Sequence, residues 1–64
     1  MILKLKQNDS WRFIDNVKEV VTDNALPTNE VFIRYLYDGV YYSQDVSEGC
    51  YILNDTGKTI ERVC

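Results

Sequence analysis

The stretch that decides the fold is Trp11-Arg12-Phe13-Ile14-Asp15-Asn16-Val17-Lys18-Glu19-Val20-Val21-Thr22. Its apolar residues Phe13, Ile14, Val17, Val20 and Val21 fall at i, i+1, i+4, i+7 and i+8, the stripe of one helix face, and Asp9 or Ser10 could cap such a helix. Against the helix stand the β-branched Ile14, Val17, Val20, Val21 and Thr22, whose stiff side chains suit an extended chain. Trp11 and Phe13 also alternate, and Asp15-Asn16 could turn a hairpin. The strand reading is preferred. It makes the chain mainly β, a small antiparallel curled sheet or open barrel of five to seven short strands. The alternative is an α+β fold with a helix at about residues 10–22.

Upstream, Leu3 and Leu5 alternate with Ile2, Lys4 and Lys6, a strand with one apolar face, and Gln7-Asn8-Asp9-Ser10 follow as a turn or a helix cap. Downstream, Asp23 to Asn29 reads as a loop marked by Pro27. Glu30 to Tyr37, Asp38-Gly39 and Val40 to Ser43 then form a hairpin, because a two-residue type I′ turn needs positive φ at both central positions and Asp-Gly supplies it. The turn sets the register. Tyr37 pairs with Val40, Leu36 with Tyr41 and Tyr35 with Tyr42, so Val31, Ile33, Tyr35, Tyr37, Val40 and Tyr42 share one face, and Phe32, Arg34, Leu36 and Tyr41 the other. A second hairpin joins Cys50-Tyr51-Ile52-Leu53 to Lys58 through Val63, across a turn that ends on Gly57.

Sixty-four residues form a single domain, residues 1–64. A domain that small buries only roughly 60% of the surface its unfolded chain exposes. Ten acidic against seven basic side chains give a net charge of −3, which disfavours long-range attraction to a nucleic-acid polymer or an anionic membrane. The acids are spread along the chain and do not cluster as a DNA mimic would need. No run is long and apolar enough for a membrane span, and Lys4 and Lys6 interrupt the N-terminal apolar stretch, so the expected address is cytoplasmic. There Cys50 reads as a reduced packing residue and Cys64 as a frayed thiol prone to adventitious oxidation.

The inventory argues against catalysis. Without His there is no Ser-His or Cys-His nucleophile system, two cysteines make no zinc knuckle, and no glycine motif for phosphate occurs. No catalytic residue, metal ligand or cofactor is expected. The carboxylate pair Asp55 and Glu61 reads as a turn residue plus an exposed strand charge.

Binding is the remaining chemistry. Tyr35, Tyr37 and Tyr42 give a broad amphipathic face able to stack on a planar ligand or pack on a partner, with Tyr41 and Arg34 on the reverse side. Arg34 could pair with Glu61, or grip an acidic group or a phosphate. The bland reading makes one hairpin face core and the other solvated sheet. Trp11, the sole tryptophan, is read as the main core plug, or as an interface anchor if it proves exposed. A sheet this small cannot cover both faces of the hairpin, so a homo-oligomer or a partner is expected.

Trp11-Arg12-Phe13-Ile14-Asp15-Asn16-Val17 and Tyr51-Ile52-Leu53-Asn54-Asp55-Thr56-Gly57-Lys58-Thr59-Ile60-Glu61-Arg62 resemble stretches of small accessory proteins encoded by bacteriophages and prophages of Gram-positive bacteria. The resemblance implies a stoichiometric anti-defence inhibitor that binds a bacterial host protein in the host cytosol, and carries over no functional residue. The alternatives are an oligomeric sponge for a cyclic nucleotide immune signal, with Tyr on the base and Arg12, Arg34, Lys58 or Arg62 on phosphate, and a structural or assembly module of a larger particle.

Overall fold

The computed structural model describes residues 1–23 and 30–64; the loop expected around Pro27 lies, Asp23 apart, outside the described residues. Seven strands follow one another: β1 Ile2–Gln7, β2 Ser10–Ile14, β3 Val17–Asp23, β4 Phe32–Tyr37, β5 Val40–Asp45, β6 Cys50–Leu53 and β7 Thr59–Arg62. Among the described residues there is no helix, so the β reading of the deciding stretch holds and the α+β alternative does not. The strands form two antiparallel sheets instead of one curled sheet or barrel: sheet A in the order β2-β1-β6-β7 and sheet B in the order β3-β4-β5.

Turn chemistry explains most of this pairing. Asn8 and Asp9 both take positive φ, 53° and 64°, and close a two-residue hairpin between β1 and β2 with Gln7 opposite Ser10. Asp38 and Gly39, at 51° and 78°, do the same for β4 and β5, in the register that the sequence dictates. Asp15-Asn16, in contrast, turns no hairpin. β2 is already paired with β1 and β3 pairs with β4, so Asn16, at φ 60°, carries the chain from one sheet to the other. Val17 lands beside the first residue, where its N–H donates to the Met1 carbonyl and its own carbonyl accepts from the Met1 amine, both at 2.9 Å.

Both sheets supply one core. Leu3, Leu5, Cys50 and Ile52 come from sheet A, Val17, Ile33 and Tyr35 from sheet B, and Val46 from the β5–β6 connection. Among the described residues no polar side chain is buried with them. Val46 is seated by a local device: Asp45 Oδ1 accepts from the Ser47 N–H at 2.9 Å and its hydroxyl at 2.7 Å, while Ser47 Oγ accepts from the Val31 N–H at 2.8 Å.

The Ser47 hydroxyl and then its amide stabilise the ionised Asp45 and hold its pKa below the ordinary carboxylate value. Because the folded-state value is the lower one, this contribution is in place above the unfolded carboxylate pKa and is lost as pH falls through the folded one. Asp45→Asn should therefore lower the melting temperature at neutral pH more than in acid; an equal drop at both pH values would contradict it.

Candidate functional site

The outer face of sheet A follows from strand alternation. With Leu3 and Leu5 turned inward, Lys4 and Lys6 point out, Phe13 and Tyr51 flank Lys4, and Trp11 stands opposite Lys6. Arg62, opposite Tyr51 on β7, extends the row. The three rings gather round one ammonium: Lys4 Nζ lies 4.7 Å from the centroid of Trp11, 5.7 Å from Tyr51 and 5.9 Å from Phe13. Each such contact contributes about 0.5–1 kcal/mol at an exposed site. Trp11 and Tyr51 are themselves 5.9 Å apart and tilted by 44°.

The platform is open to solvent, with Trp11 43% and Phe13 59% exposed. Its support is Gly49, whose φ of 148° suits only glycine and whose missing Cβ leaves room for the indole: a Cβ there would meet Trp11 Cη2 at 3.3 Å. The Lys6 N–H donates to the Gly49 carbonyl at 2.9 Å and ties that support to the centre of the sheet.

The excess of positive charge lies on sheet A. The strands of sheet A carry Lys4, Lys6 and Arg62 on this outer face, while Arg12 and the single carboxylate, Glu61, sit opposite inward-facing Leu5 and Ile52. The strands of sheet B carry Glu19, Asp23 and Asp45 together with Lys18 and Arg34, so their charges nearly balance. Glu48 stands at the rim of the platform, accepting from the Asn8 N–H at 3.1 Å. The net negative charge thus coexists with a cationic aromatic face.

Of the sequence-predicted site residues, the structure brings Tyr35, Tyr37 and Tyr42 together on one face of sheet B, and places Tyr41 and Arg34 on its reverse side and Trp11 on the other sheet. Tyr35 is 9% exposed and belongs to the core, stacked on exposed Tyr42 with centroids 5.5 Å apart; Tyr37 lies beyond, 6.5 Å from Tyr42. The tyrosine face is therefore core at one end and surface at the other. A shallow open cleft of about 320 Å³ beside Tyr37 is lined by Asn16, Lys18, Tyr37 and Asp38.

Tyr41 and Arg34 occupy the reverse side of sheet B, where Tyr41 donates to Glu19 Oε2 at 2.8 Å. That hydrogen bond, and then the Glu19 charge, raise the Tyr41 pKa, while Arg34 opposes them. The Arg34–Glu61 pair does not form, since Glu61 belongs to the other sheet. Trp11 is a surface residue and not the core plug, because β2 is an edge strand and the register turns the indole outward. With Lys4, Phe13 and Tyr51 it forms a cluster of rings around a cation, with Lys6 opposite Trp11 and Arg62 opposite Tyr51. The sequence carries half of the signal: a tight turn at Asn8-Asp9 places Lys6 and Lys4 opposite Trp11 and Phe13.

Among the described residues no group of three or more His, Cys, Asp or Glu is placed to hold a metal, and no helix is long and apolar enough to cross a membrane. In comparisons with known proteins, no family model, no curated protein and no solved structure matches the chain.

Proposed function

We propose that the protein acts by binding, without catalysis, and that its ligand is a nucleotide of phosphate-linked, unpaired bases held on the outer face of sheet A. The observation that carries this reading is Lys4 Nζ amid Trp11, Tyr51 and Phe13, with Lys6 and Arg62 beside them. Every base has a π-face, so exposed rings on a sheet accept stacking from any of them, and cations between the rings meet the linking phosphates. In the free protein Lys4 covers the rings. An incoming base takes its place, and the flexible stem lets the ammonium turn to phosphate.

Few cations face this ligand, so stacking dominates the affinity. With three phosphate contacts the logarithmic dependence of affinity on salt has a slope of about −2, shallow for a nucleic-acid binder. Trp11, the sole tryptophan, reports on the site directly. Titration with short oligothymidylate and with a cyclic dinucleotide, at several salt concentrations, should change its emission saturably with at least one of them. Inorganic phosphate should leave it unchanged. No change with either nucleotide at millimolar concentration would refute the reading, and the better ligand separates strand binding from capture of a cyclic signal.

A second reading rests on sheet B. Exposed Tyr37, Val40 and Tyr42 form a contiguous apolar patch at the open end of the tyrosine stack. Such a patch suits a protein partner, a bacterial host target of a phage-type inhibitor or a second copy of the chain.

A further inference from the structure

Cys64 is not a frayed end. Its N–H donates to the Cys50 carbonyl at 3.2 Å, its main-chain oxygen accepts from the Cys50 N–H at 3.3 Å, and its thiol donates to the Ser47 carbonyl at 3.5 Å. The Val63 N–H also donates to the Cys50 carbonyl, at 2.9 Å, so Val63 and Cys64 together oppose Cys50 in a β-bulge. Two antiparallel residues that exchange both main-chain bonds have Cα atoms about 5.5 Å apart. That spacing lies inside the roughly 4.4–6.8 Å range that a disulfide spans. Both side chains also reach the same core, Cys50 within the buried cluster and Cys64 packed against it.

We propose that Cys50 and Cys64 are a disulfide-forming pair, a covalent modification site that locks the C-terminal strand β7 onto β6 when a low-molecular-weight disulfide is present as oxidant. The Cys64 thiol, only partly buried, loses its proton and its thiolate attacks one sulfur of the oxidant, releasing one equivalent of small thiol. The Cys50 thiolate then attacks Cys64 Sγ; the bond to the oxidant fragment breaks, and a second small thiol departs with a proton. Two protein thiols are oxidised and one external disulfide is reduced. Burial, and secondly the neighbouring Cys64, push the Cys50 thiol up to about 11 in the reduced protein, so Cys64 reacts first; burial still opposes the Cys50 thiolate in the second step, which speeds as pH rises.

The full chain is incubated with oxidised glutathione, quenched in acid, unfolded and analysed by intact mass and alkylation. The expected product is a monomer lacking two hydrogens, with neither cysteine alkylated. Its melting temperature should be roughly 12–24 °C above that of the reduced protein, the effect of closing a loop of this size. Cys64→Ser should match the reduced protein's melting temperature and lose the response to oxidant. Cys50→Ser, if folded, should stop at a stable glutathione adduct on Cys64. A wild-type product that remains a glutathione adduct with Cys50 alkylatable, or that consists only of intermolecular dimers, overturns the proposal. None of these readouts depends on the ligand of sheet A.

Discussion

Leu5→Ala is expected to leave the protein largely unfolded at 37 °C. Leu5 is fully buried at the centre of β1, with Arg12 opposite it on β2 and Cys50 opposite it on β6, so no edge of the sheet can relax into the space. Truncating a leucine in such a site costs about 2–5 kcal/mol. By the usual per-residue range a chain of this length has roughly 3–10 kcal/mol of stability in all. A urea titration followed by circular dichroism should show the midpoint moved to low denaturant or the folded baseline lost. Ile60→Ala, on the exposed edge strand β7, is the comparison and should shift stability by no more than about 0.5 kcal/mol. Equal midpoints for the two variants would contradict the core described above.

The second large effect belongs to the binding face. Trp11→Ala removes the widest ring of the platform, and base–aromatic stacking contributes about 1–3 kcal/mol per base. Affinity for the better nucleotide should fall roughly 5- to 150-fold. Because the substitution deletes the fluorescent reporter, calorimetry or a labelled ligand must make the measurement. Stability should change little, since the indole lies on an edge strand and rests against Gly49 from outside. Tyr37→Ala separates the two readings: it should keep the fold and leave nucleotide affinity unaltered. If Tyr37→Ala weakens self-association or capture of a protein partner while Trp11→Ala weakens nothing, sheet B is the working surface.

Where local chemistry sets the structure, the sequence could be read. Asp38-Gly39 fixed a register that was correct residue for residue, and the alternation of Leu3 and Leu5 identified the buried face of β1. Asp15-Asn16 misled because turn propensity does not decide which strands pair; the outer edge of β2 stays open while β3 pairs with β4 in the other sheet. The helical stripe over Phe13 to Val21 was coincidental, for Phe13 and Ile14 lie on opposite faces of β2. The site was half legible. Trp11 and Phe13 face Lys6 and Lys4 through a local hairpin, but Tyr51 reaches Lys4 only because β1 pairs with β6, a contact between opposite ends of the chain that no short-range pattern announces.

That pairing also bears on how the protein is made. The three strands of sheet B are consecutive and can zip together as they leave the ribosome, with short loops to close. β1 emerges first and must wait, its leucines uncovered on one side, until β6 is synthesised. Until β6 pairs, the folding chain therefore presents a sticky, half-built sheet to chaperones, and the docking of Cys50–Leu53 on β1 is the step that closes the core.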